Sequence, residues 1–212
     1  MTRAPARPGE RVFLGGSAGR IETQIDAPAT GPLGIALVAH PHPLYGGTLD
    51  NKVVQTLAKT FVQLGWVAMR PNFRGVGASE GFHDHGAGET EDMIAVARQA
   101  GERFPGLPMV LVGFSFGAFI QTRVAKRVAV HRLVLVAPPS GLVGGGRSYV
   151  TENVPADSIV IHGERDETVP LANVFDWARP QELPIIVVPG ADHFFHRRLH
   201  LITSIVKGAW RD

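Results

Sequence analysis

The chain has no cysteine, which removes disulfides, thiolate metal sites and a cysteine nucleophile together. Any covalent chemistry must come from another side chain. No apolar run approaches the roughly 18 residues needed to cross a bilayer, and the opening MTRAPARPGERVF lacks the apolar centre of a secretory signal. A cytoplasmic protein with no membrane partner is expected. Charge of one sign is also scarce: 21 Lys and Arg stand against 19 Asp and Glu, and the basic residues are scattered rather than blocked. No nucleic-acid partner is expected from such a surface.

What remains is an ordinary globular composition, 44% hydrophobic and 19% charged, far from the signature of disorder. A folded monomer of this length removes roughly 70% of its unfolded surface from water, enough for a substantial core. The expectation is one domain over residues 1–212, with 1–10 as a flexible tail, existing as a monomer or homodimer.

Two short strands, Arg11–Leu14 and Arg20–Ile25, flank the turn cluster GGSAG and predict an edge hairpin. GIALVA (34–39) then reads as a strand covered on both faces. Val53, Val54, Leu57, Phe61 and Leu64 recur at helical spacing, with Thr48 or Asp50 available as cap and Gly65 as stop. The alternation continues: strands at 66–70, 109–113, 133–137, 158–162 and 185–188, helices near 89–103, 116–128, 171–178 and 199–210. Apolar strands separated by amphipathic helices predict a mostly parallel α/β sheet with helices on both faces. Such sheets react at the carboxyl ends of their strands, where most of the chemically capable residues lie.

Gly113-Phe114-Ser115-Phe116-Gly117 matches Gly-x-Ser-x-Gly and sits between the strand MVLVG and a helix. A serine on so sharp a turn needs glycine two residues to either side, and the turn aims the Phe116 N–H at a developing oxyanion. A helix-capping serine in a Gly-rich turn is the plainer alternative. Because serine is a weak nucleophile, it needs a base and an orienting acid. Asp166, in HGERDETVP, and His193, in GADHFF, follow later strands and give the order Ser, Asp, His. Glu164 and Glu167 compete for the acid role, and His196 and His200 for the base.

Spacings of three and four residues would put His193, His196 and His200 on one helical face, and His40, His42, His83 and His85 add further candidate metal ligands. No HExxH signature accompanies them, and no metal is expected. No glycine-rich stretch has P-loop or GxGxxG spacing, so nucleotide binding is not expected. A second oxyanion donor belongs in the loop His40-Pro41-His42-Pro43-Leu44-Tyr45-Gly46-Gly47. The prolines have no N–H, leaving His42 first and Leu44 next.

Together, HPHPLYGGTLDNKVV, RPNFRGVGASEG, GFSFG, HGERDETVP and GADHFF resemble the α/β-hydrolase superfamily, specifically small capless members related to dienelactone hydrolases and carboxylesterases. The resemblance implies an eight-stranded sheet with strand two antiparallel, a Ser115, His193 and Asp166 triad, and an oxyanion hole from Phe116 and the HPHP loop. Dienelactone hydrolases proper use a cysteine nucleophile, absent here, and many relatives carry His-Gly where this chain has HPHP.

Only about twenty residues, 138–157, separate the strands between which many superfamily members insert a lid, too few for a helical cap. An open site bordered by Tyr45, Phe82, Phe114, Phe116 and a flexible GLVGGGRS segment is therefore expected, suited to small acyl groups. The function expected is cofactor-free hydrolysis of small carboxylic esters through an acyl-enzyme. Thioester hydrolysis, acyl transfer and peptide hydrolysis use the same residues. A non-catalytic binding protein and a metal-dependent hydrolase are the alternatives from other classes.

Overall fold

The computed structural model describes residues 9–210. Ten strands and five helices follow in chain order: β1 (Glu10–Gly16), β2 (Gly19–Asp26), β3 (Ile35–Ala39), α1 (Lys52–Gln63), β4 (Val67–Pro71), α2 (Ala87–Arg103), β5 (Met109–Phe114) and α3 (Phe116–Val124). After these come β6 (Arg132–Val136), β7 (Gly141–Val143), β8 (Arg147–Tyr149), β9 (Ile159–Gly163), α4 (Leu171–Ala178), β10 (Ile186–Val188) and α5 (Leu199–Ala209). Of the expected tail, residues 1–8 lie outside the described residues, and Glu10 already belongs to β1.

Eight strands form one sheet in the order β1-β2-β4-β3-β5-β6-β9-β10. β2 runs antiparallel to both β1 and β4, and all other pairs are parallel. This is the α/β-hydrolase fold. The reason lies in the strands themselves: β3, β4, β5 and β9 are buried at every residue, so both faces need a helical cover.

The cover divides by side-chain parity. Leu37, Leu111, Leu133 and Leu135 share a cluster with Met93, Ile94, Ile120 and Val174 of α2, α3 and α4. Val38, Val112, Val134 and Val136 pack instead with Val53, Leu57, Phe61, Ile202 and Val206 of α1 and α5. Each fully buried aliphatic side chain contributes about 2 kcal/mol from removal of its surface from water.

Element boundaries differ from expectation where a polar atom decides them. α1 is capped by Asn51, not Thr48 or Asp50, because its Oδ1 accepts from Val53 N (2.9 Å) and Val54 N (3.4 Å). α3 stops at Val124, four residues early. The segment expected to be a flexible glycine loop folds into the β7–β8 hairpin, tied down by Gly144 N donating to Thr168 O (2.8 Å) and by Asn173 Nδ2 donating to Ser140 O and Leu142 O. No helix of the described residues is long and apolar enough to cross a membrane.

The edge hairpin and the segment after β4 are joined to α2 by buried charge. Asp92 accepts from Arg74 Nε (2.7 Å), Ser17 N (2.7 Å) and Ser17 Oγ (2.9 Å), with Asp92 1% exposed and Arg74 9%. Removing one member of such a pair strands the other away from water. Asp92→Ala should therefore lower unfolding free energy by about 3 kcal/mol in urea titrations, with an unchanged fold by far-UV circular dichroism; a loss below about 1 kcal/mol would contradict this account.

Candidate active site

Ser115 lies between β5 and α3 at φ 53°, ψ −121°, a conformation that costs a non-glycine residue about 1–3 kcal/mol. Its N–H donates to Val136 O (2.8 Å), and its carbonyl accepts from Ala118 N (2.8 Å). A Cβ at Gly113 would stand 2.5 Å from Ala118 Cα, and one at Gly117 2.3 Å from Ala39 O. The elbow is closed to any other residue at both positions. The Ser115 hydroxyl makes no capping bond to α3. It lies instead 3.0 Å from Nε2 of His193.

His193 reaches Ser115 from the loop after β10. Its Nδ1 is 2.7 Å from Asp166 Oδ2. The carboxylate can only accept, so Nδ1 carries the hydrogen and Nε2 presents a lone pair to the Ser115 O–H. Asp166 is itself held by Thr168 N (2.9 Å) and Val169 N (2.7 Å), both donating to Oδ1. All three side chains are buried, at 5–6% exposure.

The competing candidates fall elsewhere. Glu164 accepts from Gly190 N, and exposed Glu167 lines the cavity without meeting His193. His196 is exposed and paired with Asp192 (2.7 Å), and His200 sits on α5, which begins only at Leu199. The expected helical face of three histidines does not form, because the segment 193–198 turns irregularly through positive φ at Phe195 and Arg197. The described residues hold no group of three or more His, Cys, Asp or Glu able to share a metal ion.

The HPHP loop is set by His40. This wholly buried ring donates from Nδ1 to Pro41 O (2.7 Å) and accepts at Nε2 from Phe73 N (2.9 Å). The Pro41–His42 peptide is trans, so with its carbonyl held by His40 the His42 N–H points to the opposite side. Among the described residues that N–H has no acceptor, whereas Leu44 N donates to His42 Nδ1 (3.3 Å). Phe116 N, in the first turn of α3, lacks an intrahelical acceptor as well. Of the two candidates, Leu44 N is thereby spoken for and the His42 N–H is free.

Ser115, His193, His42, Tyr45, Gly47, Arg147, Thr168 and Phe194 line a cavity of about 490 Å³. Phe114 does not line it: its side chain is fully buried and supports the His193 ring from below, with centroids 5.0 Å apart. Phe82 is 88% exposed and also stands outside the cavity wall. Phe116 contributes packing, its ring 4.8 Å from His42. Sequence reasoning did not single out His162 or Arg147. His162 donates from Nε2 to Val169 O (2.9 Å) and lies 3.5 Å behind Asp166. Arg147 lies over the Tyr45 ring at 4.4 Å; only its neighbourhood in GLVGGGRS hinted at a place near the site.

A serine on a strand-to-helix elbow, under a histidine and a buried aspartate at the carboxyl edge of this sheet, defines a protein of the α/β-hydrolase type. The chain belongs to the α/β serine hydrolases. It is 37% identical to an α/β serine hydrolase homologue from Coxiella burnetii, covering 97% of this chain and 99% of that one at a TM-score of 0.86. A lidless α/β serine hydrolase from Xanthomonas campestris is 33% identical over 98% of this chain and 95% of its own, at a TM-score of 0.87. A Rickettsia prowazekii protein is 34% identical over 195 residues, 87% of this chain and 82% of that one. Residues 46–145 match the family model described as serine aminopeptidase S33. The likeness to dienelactone hydrolases is only approximate beside these relatives.

Burial pushes the imidazole of His40 down from 6.5 to about 4. Below pH 6.5 the unfolded chain binds a proton that the native ring refuses, so this contribution to stability is full above about 6.5 and is lost as pH falls to about 4. The loss attributable to His40 is about 3 kcal/mol. Urea unfolding at pH 7.5 and 4.5 should show a smaller pH-dependent drop in His40→Gln than in wild type; equal drops would contradict the assignment.

Proposed function

We propose that the protein hydrolyses small carboxylic esters through an acyl-enzyme intermediate at Ser115. The observation that carries this reading is the continuous chain Ser115 Oγ, His193 Nε2, His193 Nδ1, Asp166 Oδ2, at 3.0 and 2.7 Å. Ser115 Oγ attacks the ester carbonyl carbon while its proton passes to His193 Nε2. Asp166 keeps the ring in the tautomer able to accept and stabilises the imidazolium formed. His193 then gives that proton to the departing alkoxide, and a water molecule repeats the sequence on the acyl-enzyme to release the acid. The N–H groups of Phe116 and His42 are assigned to the oxyanion, each worth about 100- to 1,000-fold in comparable sites.

Esters are favoured over amino-terminal peptide cleavage by the character of the cavity wall. An aminopeptidase must hold a free ammonium group, and among the described residues Glu167 is the single carboxylate lining the cavity, which also carries Arg147, His42 and His193. No helix covers the cavity: residues 138–157 hold only a hairpin and one short 3-10 turn. An open cleft of this size fits short acyl groups better than long chains.

Intact mass after fluorophosphonate treatment tests the nucleophile: one adduct is expected on wild type and none on Ser115→Ala. Turnover of 4-nitrophenyl acetate and butyrate should fall at least about 10,000-fold in Ser115→Ala; wild-type rates in that variant would overturn the mechanism. Because the donor assigned in the loop is a backbone group, His42→Ala should lose less than about tenfold in kcat. Across a series of acyl lengths, kcat/KM is expected to peak at short chains, and a continuing rise through decanoyl would contradict the open-site reading.

A further inference from the structure

Beside the Ser115 cavity lies a second cleft of about 390 Å³, lined among others by His42, His83, His85, Arg123, Arg147 and Tyr149. His42 and Arg147 belong to both cavities, so the two are neighbours across a shared wall. Among the described residues no Asp or Glu lines this cleft. The cleft on the other side of Arg123, of about 500 Å³, differs: besides Arg74, Arg123, Lys126 and Arg127 it has Asp84, Glu91 and Glu152, three carboxylates against four basic groups.

The two arginines of the histidine cleft are left without partners of opposite charge. Among the described residues neither Arg123 nor Arg147 has a carboxylate oxygen within 4.0 Å. Arg147 is aimed by two bonds from Nε and Nη2 to Gly144 O (2.9 and 2.7 Å) and by the Tyr45 ring beneath it. Arg123 lies over Phe119 at 5.3 Å. The three imidazoles form a row, with centroids 4.8 Å apart for His42 and His83 and 5.1 Å for His83 and His85. Buried Glu89 stands 2.8 Å from His83 Nδ1, and Asp84, between His83 and His85 in sequence, accepts from Gly88 N (2.9 Å) and lines the neighbouring cleft.

The electrostatics agree with the geometry. Burial pushes His42 down to about 4, and the neighbouring His83, Arg147 and His85 push in the same direction. Near neutral pH the His42 ring is therefore uncharged, and an anion in the cleft would meet the charges of Arg123 and Arg147 and the N–H groups of the imidazoles. Arginine and imidazole N–H groups are the donors that match a carboxylate, which arginine can bind through two parallel bonds.

We propose that this cleft is an anion subsite, and that the substrate cleaved at Ser115 carries a carboxylate on the part of the molecule that extends past His42. The assignment rests on the serine-hydrolase reading and narrows its substrate class to half-esters and related carboxylate-bearing acyl compounds. Arg123 and Arg147 are then specificity-determining residues: they hold the distal charge and touch none of the reacting atoms.

The test uses two fluorophosphonates that differ only at the end of a short alkyl chain, one a free carboxylate and the other its methyl ester. Second-order labelling rates are read by intact mass. In wild type the carboxylate probe should react about tenfold faster, and the ratio of the two rates should fall at least about fivefold in Arg123→Gln, less in Arg123→Lys, and on raising salt to about 0.5 M. Arg147→Gln should lower the same ratio, with circular dichroism confirming that the hairpin variant folds. A wild-type ratio of one or below, or a ratio unmoved by either arginine variant, overturns the subsite and leaves the hydrolase reading standing. Failure of both probes to label wild type overturns that reading, and the subsite with it.

Discussion

The strained backbone of Ser115 is the constraint on which the site depends. At φ 53° the residue would relax into an ordinary strand or helix unless its surroundings forbade it. They do so from three directions: Val136 O holds its N–H, Ala118 N holds its carbonyl, and the glycines at 113 and 117 let β3 and α3 press to within contact of the turn. The cost of about 1–3 kcal/mol is small against the buried aliphatic core of β3, β5 and β6. What the strain provides is a hydroxyl clear of the helix amides and free to meet His193.

The second requirement is that the donors around this hydroxyl do not need to reorganise, and the polar network meets it without a lid. His40 holds one end of the HPHP loop, the two amides of Thr168 and Val169 hold Asp166, and His162 stands behind it. Rings complete the enclosure, Phe114 beneath His193 and Phe116 beside His42. Dipoles fixed in such a partly dry setting act more strongly than the same groups in water. The ordering of this site is supplied from below, by the core.

How much of this was legible in the sequence follows the physical origin of each feature. Continuous apolar runs such as GIALVA and MVLVG declare covered strands because nothing else can bury both faces, and the sheet follows from their alternation with helices. The meeting of Ser115, Asp166 and His193 was legible because each sits in a loop after a strand, at the same edge of the sheet. The cap of α1 was misread because Thr48, Asp50 and Asn51 are equally able residues, and only the backbone path selects Asn51. Phe114 was misplaced because its neighbour is the nucleophile, while strand alternation turns its side chain to the opposite face. The β7–β8 hairpin was hidden because its anchor, Asn173, lies more than twenty residues away in sequence.

That last case bears on how substrate choice is encoded. Ser115, Asp166 and His193 are fixed by buried contacts within the sheet and the first turns of its helices. Tyr45 and Phe194 sit well exposed on connecting segments and can be exchanged at little cost to stability, and Arg147 opens the short strand β8 of a surface hairpin. A lidless hydrolase has no other place to keep its selectivity. Arg147 and Arg123 are positioned by Gly144 O, Tyr45 and Phe119 but among the described residues meet no carboxylate, and in the proposed subsite it is this unpaired charge that selects the substrate.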